Sequence, residues 1–181
     1  MRILITGALG LTGYYLVRLL ARKSKNDLYL TDHVSGRIRN ILNCDLTKKK
    51  SVGELIAKVR PERIYHLAGS FTNNYDIDYS VNVLSTKNIL DALLKFALPS
   101  RVLLIGSSAE YGLINVKDNP INENYPLWPC RIQGLTKVYQ THLMKFYCKV
   151  YKMDLVMARP FNLFGDGKRI SKLMFIGKVY E

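Results

Sequence analysis

The segment TGALGLTG, residues 6–13, constrains this chain more than any other stretch. It follows the apolar run RILIT (2–6) and opens an amphipathic stretch over 11–22. Glycines between a strand and a helix let the chain reverse tightly and bring backbone N–H groups to the helix start. Gly7 permits the turn, Gly10 lets the backbone approach a bound anion, and Gly13 lets helix and strand pack closely. The N–H groups of the loop and first turn, around Leu9 and Leu11, then favour a phosphate, aided by the helix dipole. Glycines at strand–helix turns also occur as plain turn residues, so the loop needs support from elsewhere.

Asp32 provides that support. It ends DLYLTD (27–32), 19 residues after Gly13. A carboxylate there accepts hydrogen bonds from both hydroxyls of an adenosine ribose and repels a 2′-phosphate, which favours NAD over NADP. Arg37 and Arg39 follow soon after and offset part of that repulsion. The competing reading of Asp32 is a turn residue without a ligand.

The rest of the chain alternates apolar runs with amphipathic stretches. Strands are expected at 2–6, 27–32, 40–45, 63–68, 101–107 and 154–160, and helices at 11–22, 48–59, 76–97 and 132–150. Strands apolar throughout, separated by helices, point to a parallel sheet covered on both faces. The expected fold is therefore α/β, a Rossmann-like doubly wound sheet whose ligand sits beyond the carboxyl ends of the strands.

Composition narrows the partners. There are 27 Lys+Arg against 14 Asp+Glu, a formal charge of +13. That excess either draws in an anion or is a solvated lysine-rich surface. The charges are scattered, KKK at 48–50 is the one tight run, and no aromatic-interleaved basic stripe is present, so no nucleic-acid partner is expected. Cys44, Cys130 and Cys148 lack metal-ligand spacing and make an odd count, which fits a reducing cytoplasm and no metal site. No secretory leader and no membrane-length apolar run is read, so no membrane partner is expected.

Beyond the loop, the chain resembles the extended short-chain dehydrogenase/reductase family, from GxxGxxG to RPFNLFG (159–165). The resemblance implies NAD as cofactor, a nucleotide-diphosphate sugar as substrate, and a homodimer paired through helices near 76–97 and 132–150. In CDLT (44–47), Asp45 would bind the adenine amino group and Leu46 would pack on the ring. HLAG (66–69) resembles the segment beside the cofactor diphosphate and nicotinamide ribose, which assigns Leu67, Ala68 and Gly69. Asn82 resembles the helix asparagine that helps hold the catalytic lysine's water. GSSAEYG (106–112) places Ser107 as the catalytic Ser/Thr, with Ser108 and Glu110 beside the substrate, and Asn162 would touch the sugar-nucleotide diphosphate. Each match also has a plainer reading: Asp45 as a helix cap, His66 as a packed strand residue, Asn82 as a solvent-facing side chain, and the serines as partners of strand-end backbone groups.

The resemblance also exposes a departure. In this family a tyrosine exchanges the hydroxyl proton and a lysine one helical turn later lowers its pKa and binds the nicotinamide ribose. PLWPCRIQGLTK (126–137) supplies Lys137, but Gln133 stands where the tyrosine would be. An amide hydrogen-bonds but does not titrate near neutral pH. Three explanations stay open: a binding or regulatory relative without turnover, a proton carried by Tyr111, Tyr125 or water, or a degenerate gene. GSSAEYG and RPFN look most like reductases of GDP-4-keto-6-deoxy-mannose, with 4-epimerases next. Ala109 stands where 4,6-dehydratases carry an acid, which disfavours that subclass. The expected layout is a dinucleotide-binding domain over 1–165 and, over 166–181, the start of a truncated or missing substrate lobe.

One titration tests the loop and Asp32 together. NADH is expected to bind roughly tenfold or more tightly than NADPH in calorimetry, because only the latter places a phosphate against a carboxylate. Binding of neither would leave the glycines as turn residues and the chain as a scaffold.

Overall fold

The computed structural model describes residues 1–22, 25–33 and 38–163. Arg37 and the 166–181 segment lie outside the described residues. Six strands form one sheet: β1 (Arg2–Thr6), β2 (Asp27–Asp32), β3 (Ile41–Asn43), β4 (Arg63–His66), β5 (Arg101–Ile105) and β6 (Leu155–Ala158). Their order is β3-β2-β1-β4-β5-β6, and every neighbouring pair is parallel. This is the Rossmann-like doubly wound sheet that the apolar runs imply. The winding reverses between β1 and β4, which opens a crevice at their carboxyl ends. Thr6 is in register with both Thr31 of β2 and His66 of β4, so the loops that follow start level with one another.

Strand β1 is an unbroken apolar run because both its faces are covered. Leu4 joins Ile64, Val102 and Leu104 on one face, under α2 (Lys49–Val59) and a helix ending at Lys95. Ile3 and Ile5 pack on the other face with Leu16, Val17 and Leu20 of α1 (Leu11–Ala21). Helix α2 buries Val52, Leu55, Ile56 and Val59, a three-to-four-residue spacing that puts them on one side. It stops at Arg60, whose left-handed φ of 46° and the following Pro61 turn the chain away.

The helix expected over 76–97 is three joined pieces. They are α3 (Tyr75–Tyr79), a π-helical turn (Ser80–Leu84) and α4 (Ser85–Lys95). The wider turn carries fully buried Asn82 at its centre and follows fully buried Asp78, and both side chains bond to the loop after β4. Such a turn is a tertiary adjustment, invisible to side-chain periodicity. Helix α5 (Ile132–Tyr151) is the long element that returns the chain to β6. The strands expected over 63–68, 101–107 and 154–160 end earlier than their apolar runs, because the chain leaves the sheet to build the crevice.

Candidate active site at the carboxyl edge of the sheet

The glycine loop closes against β4. Gly7 has φ +64°, and a Cβ on it would lie 2.7 Å from the Ala68 nitrogen. A Cβ on Gly13 would lie 2.3 Å from the Gly7 oxygen, so only glycine lets α1 start this close to β1. Gly10 is the helix N-cap, with no side-chain cap and no acidic residue in the first turn. The first-turn N–H groups are thus left for an anion.

A cleft of about 660 Å³ runs from this loop across the strand ends. Gly7, Leu9 and Gly10 line one part, Asp32 and Cys44–Thr47 another, and Leu67, Ala68 and Gly69 a third. The volume is in the range of small-molecule and cofactor sites. Asp32 is bound in place at the tip of β2. Its Oδ2 accepts from the Leu9 N–H and its Oδ1 from the His33 N–H, both at 2.9 Å. Each oxygen keeps a second lone pair for a ligand hydroxyl. Asp45 accepts from the Thr47 hydroxyl at 2.6 Å and the Thr47 N–H at 2.9 Å. The hydroxyl bond foremost holds its carboxyl below the usual range. The Leu46 carbonyl is pinned by the Asn88 amide at 2.9 Å. The glycine cradle, the uncapped helix and the paired carboxylates fit a dinucleotide.

Beneath the Leu67–Gly69 wall lies a buried polar relay centred on His66, which is a packed strand residue as the plainer reading had it. Ser85 donates its proton to the Val81 carbonyl, so its oxygen accepts from His66 Nε2–H at 3.2 Å. His66 Nδ1 then accepts from the Thr6 hydroxyl at 2.8 Å, and Thr6 accepts from the Ala68 N–H at 3.3 Å. Burial, then the charge of Lys137, pushes the imidazole down to about 3, so it stays neutral. Its place is structural, joining β1 and β4 to the π turn.

Asn82 is not solvent-facing. Its Oδ1 accepts from the Ser70 N–H at 2.9 Å, and its amide donates to the Ser70 carbonyl and to Thr136 Oγ1 at 2.9 and 3.0 Å. This side chain clamps the loop after Gly69 to the first turns of α5. Asp78 completes the clamp, accepting from Ser70, Thr72 and Asn73. Burial raises its pKa, but those bonds together outweigh it and leave the carboxyl below its usual range.

The remaining candidates gather on the β5 side of Gly69. Gln133 is half-buried in the first turn of α5, one turn before Lys137. Lys137 is 5% exposed. Its amine donates to the Ile105 carbonyl at 2.7 Å and to Gln140 Oε1 at 3.1 Å. Burial pushes it down to about 8 against the opposing pull of Glu110 and Asp78. Ser107 caps the short 3-10 turn Ser108–Glu110, its Oγ accepting from the Ala109 N–H at 3.1 Å. Ser108 is half-buried beside it, and Asn162 is exposed after Pro160 and Phe161.

Glu110 departs from the substrate contact expected of it. It is fully buried, and its oxygens accept from the Ser107 N–H (2.8 Å), the Thr141 hydroxyl (2.7 Å) and Arg159 Nε (2.8 Å). The carboxylate joins the turn after β5, helix α5 and the end of β6, and has no surface to offer a sugar. Both tyrosines considered as substitute proton carriers have hydrogen-bond partners in the protein. Tyr111 is buried, its hydroxyl 3.4 Å from Arg159 Nη1. Tyr125 donates to Asp118 at 3.0 Å, which is the main reason its pKa is raised.

The chain belongs to the NAD dependent epimerase/dehydratase family, whose model matches residues 3–179. It is 28% identical to GDP-6-deoxy-D-talose 4-dehydrogenase of Aggregatibacter actinomycetemcomitans, over 96% of this chain and 57% of that protein. Among solved structures it is similar to UDP-glucose 4-epimerase of Brucella ovis in complex with NAD. That match has a TM-score of 0.79 and 25% identity, over 92% of this chain and 54% of that one. RMD of Pseudomonas aeruginosa, complexed with NADPH, matches with a TM-score of 0.81 and 25% identity, over 98% and 60%. The chain spans somewhat more than half the length of the curated relatives it matches. Among the described residues no helix is long and apolar enough to cross a membrane.

The buried Glu110–Arg159 pair makes a direct prediction. Glu110→Ala leaves a guanidinium only 11% exposed without its carboxylate. Unfolding in urea is expected to show a loss of about 3–5 kcal/mol. A loss under about 1 kcal/mol would mean that water reaches Arg159 and that Glu110 is not structural.

Proposed function

We propose that this chain is the dinucleotide-binding half of an NAD(H)-dependent, cytoplasmic oxidoreductase that acts on a nucleotide-diphosphate sugar, reductase- or epimerase-like in type. The observation that carries this is the convergence of the uncapped glycine loop, Asp32 and Asp45 on one cleft where the strand order reverses. In this reading Gly7, Gly10, Leu11 and Gly13 cradle the diphosphate, while Leu9, whose N–H is taken by Asp32, lines the cleft beside it. Asp32 takes the adenosine ribose, and Asp45 and Leu46 take the adenine. Leu67, Ala68 and Gly69 border the nicotinamide end, with Asn82 holding that wall from behind. The residues over 166–181 begin a sugar-binding lobe.

NAD, when bound, supplies the hydride acceptor. The protein's own residues do the rest. Lys137 is the cation beside the nicotinamide ribose, Ser107 holds the sugar oxygen, and Ser108 and Asn162 meet the nucleotide sugar. Gln133 orients a sugar hydroxyl through its amide but exchanges no proton with it. A second reading, a catalytically inactive dinucleotide-binding regulator or scaffold, is favoured by the same residue. Gln133 does not titrate, and the neighbouring Lys137 amine is committed to Ile105 and Gln140.

Gln133→Tyr separates the two. If the wild-type site lacks only its proton carrier, the variant is expected to oxidise or reduce a nucleotide sugar about 10²–10⁴-fold faster than wild type. Equal rates in both would refute Gln133 as the missing acid/base. No turnover in either favours the scaffold.

The homodimer is also part of this proposal. Tyr139, Phe146 and Val150 share one face of α5, the latter two 50% and 52% exposed. Light scattering is expected to give a dimer mass for wild type and a monomer mass for Phe146→Glu. A monomeric wild type would end this part of the proposal.

A further inference from the structure

The Lys137 amine lies at the back of the cleft wall, 3.3 Å from where a Cβ on Gly69 would sit. A lysine has four rotatable side-chain bonds, so something must hold it there. One restraint is the Ile105 carbonyl. The other is Gln140, three residues further along α5 and therefore on the same helix face. Gln140 is fully buried. It belongs to no motif and lines no part of the cleft.

The direction of the Gln140 amide is set by what lies behind it. Thr86 donates its hydroxyl proton to the Asn82 carbonyl at 2.9 Å. Its oxygen can then only accept, and it accepts from Gln140 Nε2 at 2.8 Å. With Nε2 committed to Thr86, Oε1 must face Lys137. A flipped amide would set an N–H donor against an ammonium and leave two donors unmatched in a buried site. We propose that Gln140 is the positioning residue for Lys137, its acceptor oxygen fixed toward the amine by Thr86, so that the remaining N–H of the amine is aimed past Gly69 into the cleft.

A neutral acceptor has a consequence that a carboxylate would not. The charged groups facing Lys137 are Glu110 from the turn after β5 and Asp78 from α3, with the neutral His66 on β4. Neither carboxylate is bonded to the amine, because Glu110 is taken by Arg159 and Thr141 and Asp78 by the Ser70–Asn73 loop. Gln140 therefore holds the amine in place without pinning its charge.

The functional part rests on the reading that Lys137 faces a bound nicotinamide ribose; the positioning part does not. The test is an NMR titration of ¹³C-labelled lysine in the whole chain, the Lys137 resonance being the one missing in Lys137→Arg. Gln140→Leu removes an acceptor from the ammonium and is expected to lower the Lys137 titration midpoint. Gln140→Glu supplies a carboxylate and is expected to raise it. Thr86→Val, which frees the amide to turn, is expected to shift it in the same direction as Gln140→Leu. NADH affinity is expected to weaken about tenfold in Gln140→Leu and to recover to within about threefold of wild type in Gln140→Glu. Identical midpoints in wild type and all three variants overturn the proposal, and Thr86→Val with Gln140→Glu decide it if Gln140→Leu does not fold. If wild type binds no NADH, the cofactor reading fails while the opposed midpoint shifts still decide the role of Gln140.

Discussion

Helix α1 begins in contact with the ends of β1 and β4, and much of the architecture follows from that approach. Gly7 and Gly13 make it possible, since a side-chain carbon on either would meet backbone at under 3 Å. Backbone cannot yield as a flexible side chain can, so the approach survives only without a Cβ. Because α1 is held there, its first-turn N–H groups end at the crevice between β1 and β4, and Leu16, Val17 and Leu20 fall over Ile3 and Ile5. One steric condition thus places both the anion site and half of the core.

The apolar core explains why the sheet forms, but not how the crevice keeps its shape. That is the work of buried polar groups. Asp78 and Asn82 secure the loop after β4, the Thr6–His66–Ser85 relay supports its base, and Glu110 ties β5, α5 and β6 together through Arg159. Buried polar groups are costly when unmatched, and none is left without a partner among the described residues. Such groups add less to stability than apolar burial of the same volume, but their directionality leaves few alternative arrangements. A crevice with the Lys137 ammonium packed behind the Gly69 loop needs that directionality.

Lys137 concentrates the tension of the site. Burial works against its charge, the carboxylates of Glu110 and Asp78 work for it, and the balance leaves it near 8. Where this family carries a tyrosine one turn earlier, such a lysine acts on a phenol. Here the residue one helical turn earlier is Gln133, an amide that does not titrate near neutral pH. Under the proposed function, binding and turnover depend on different residues of the same helix.

The order of strands and helices, the glycine loop and the carboxylates of Asp32 and Asp45 were legible in the sequence. All but Asp45 depend on local rules, namely the periodicity of apolar residues, turn chemistry and the distance from one strand end to the next; Asp45 came into view only through the resemblance to a known family. The π-helical turn, the clamp by Asp78 and Asn82, the burial of Glu110 and the hold of Gln140 on Lys137 were not. The pairs that fix them, such as Glu110 with Arg159, Thr86 with Gln140 and Asn82 with Thr136, join residues far apart in sequence, and no local pattern records which polar side chain will be enclosed. By itself the sequence determined a doubly wound sheet with a glycine loop opening its first helix. Only the tertiary structure decided which polar residues face the cleft and which hold it from behind, because a side chain's role there depends on the water it loses and the partner it meets when distant segments pack.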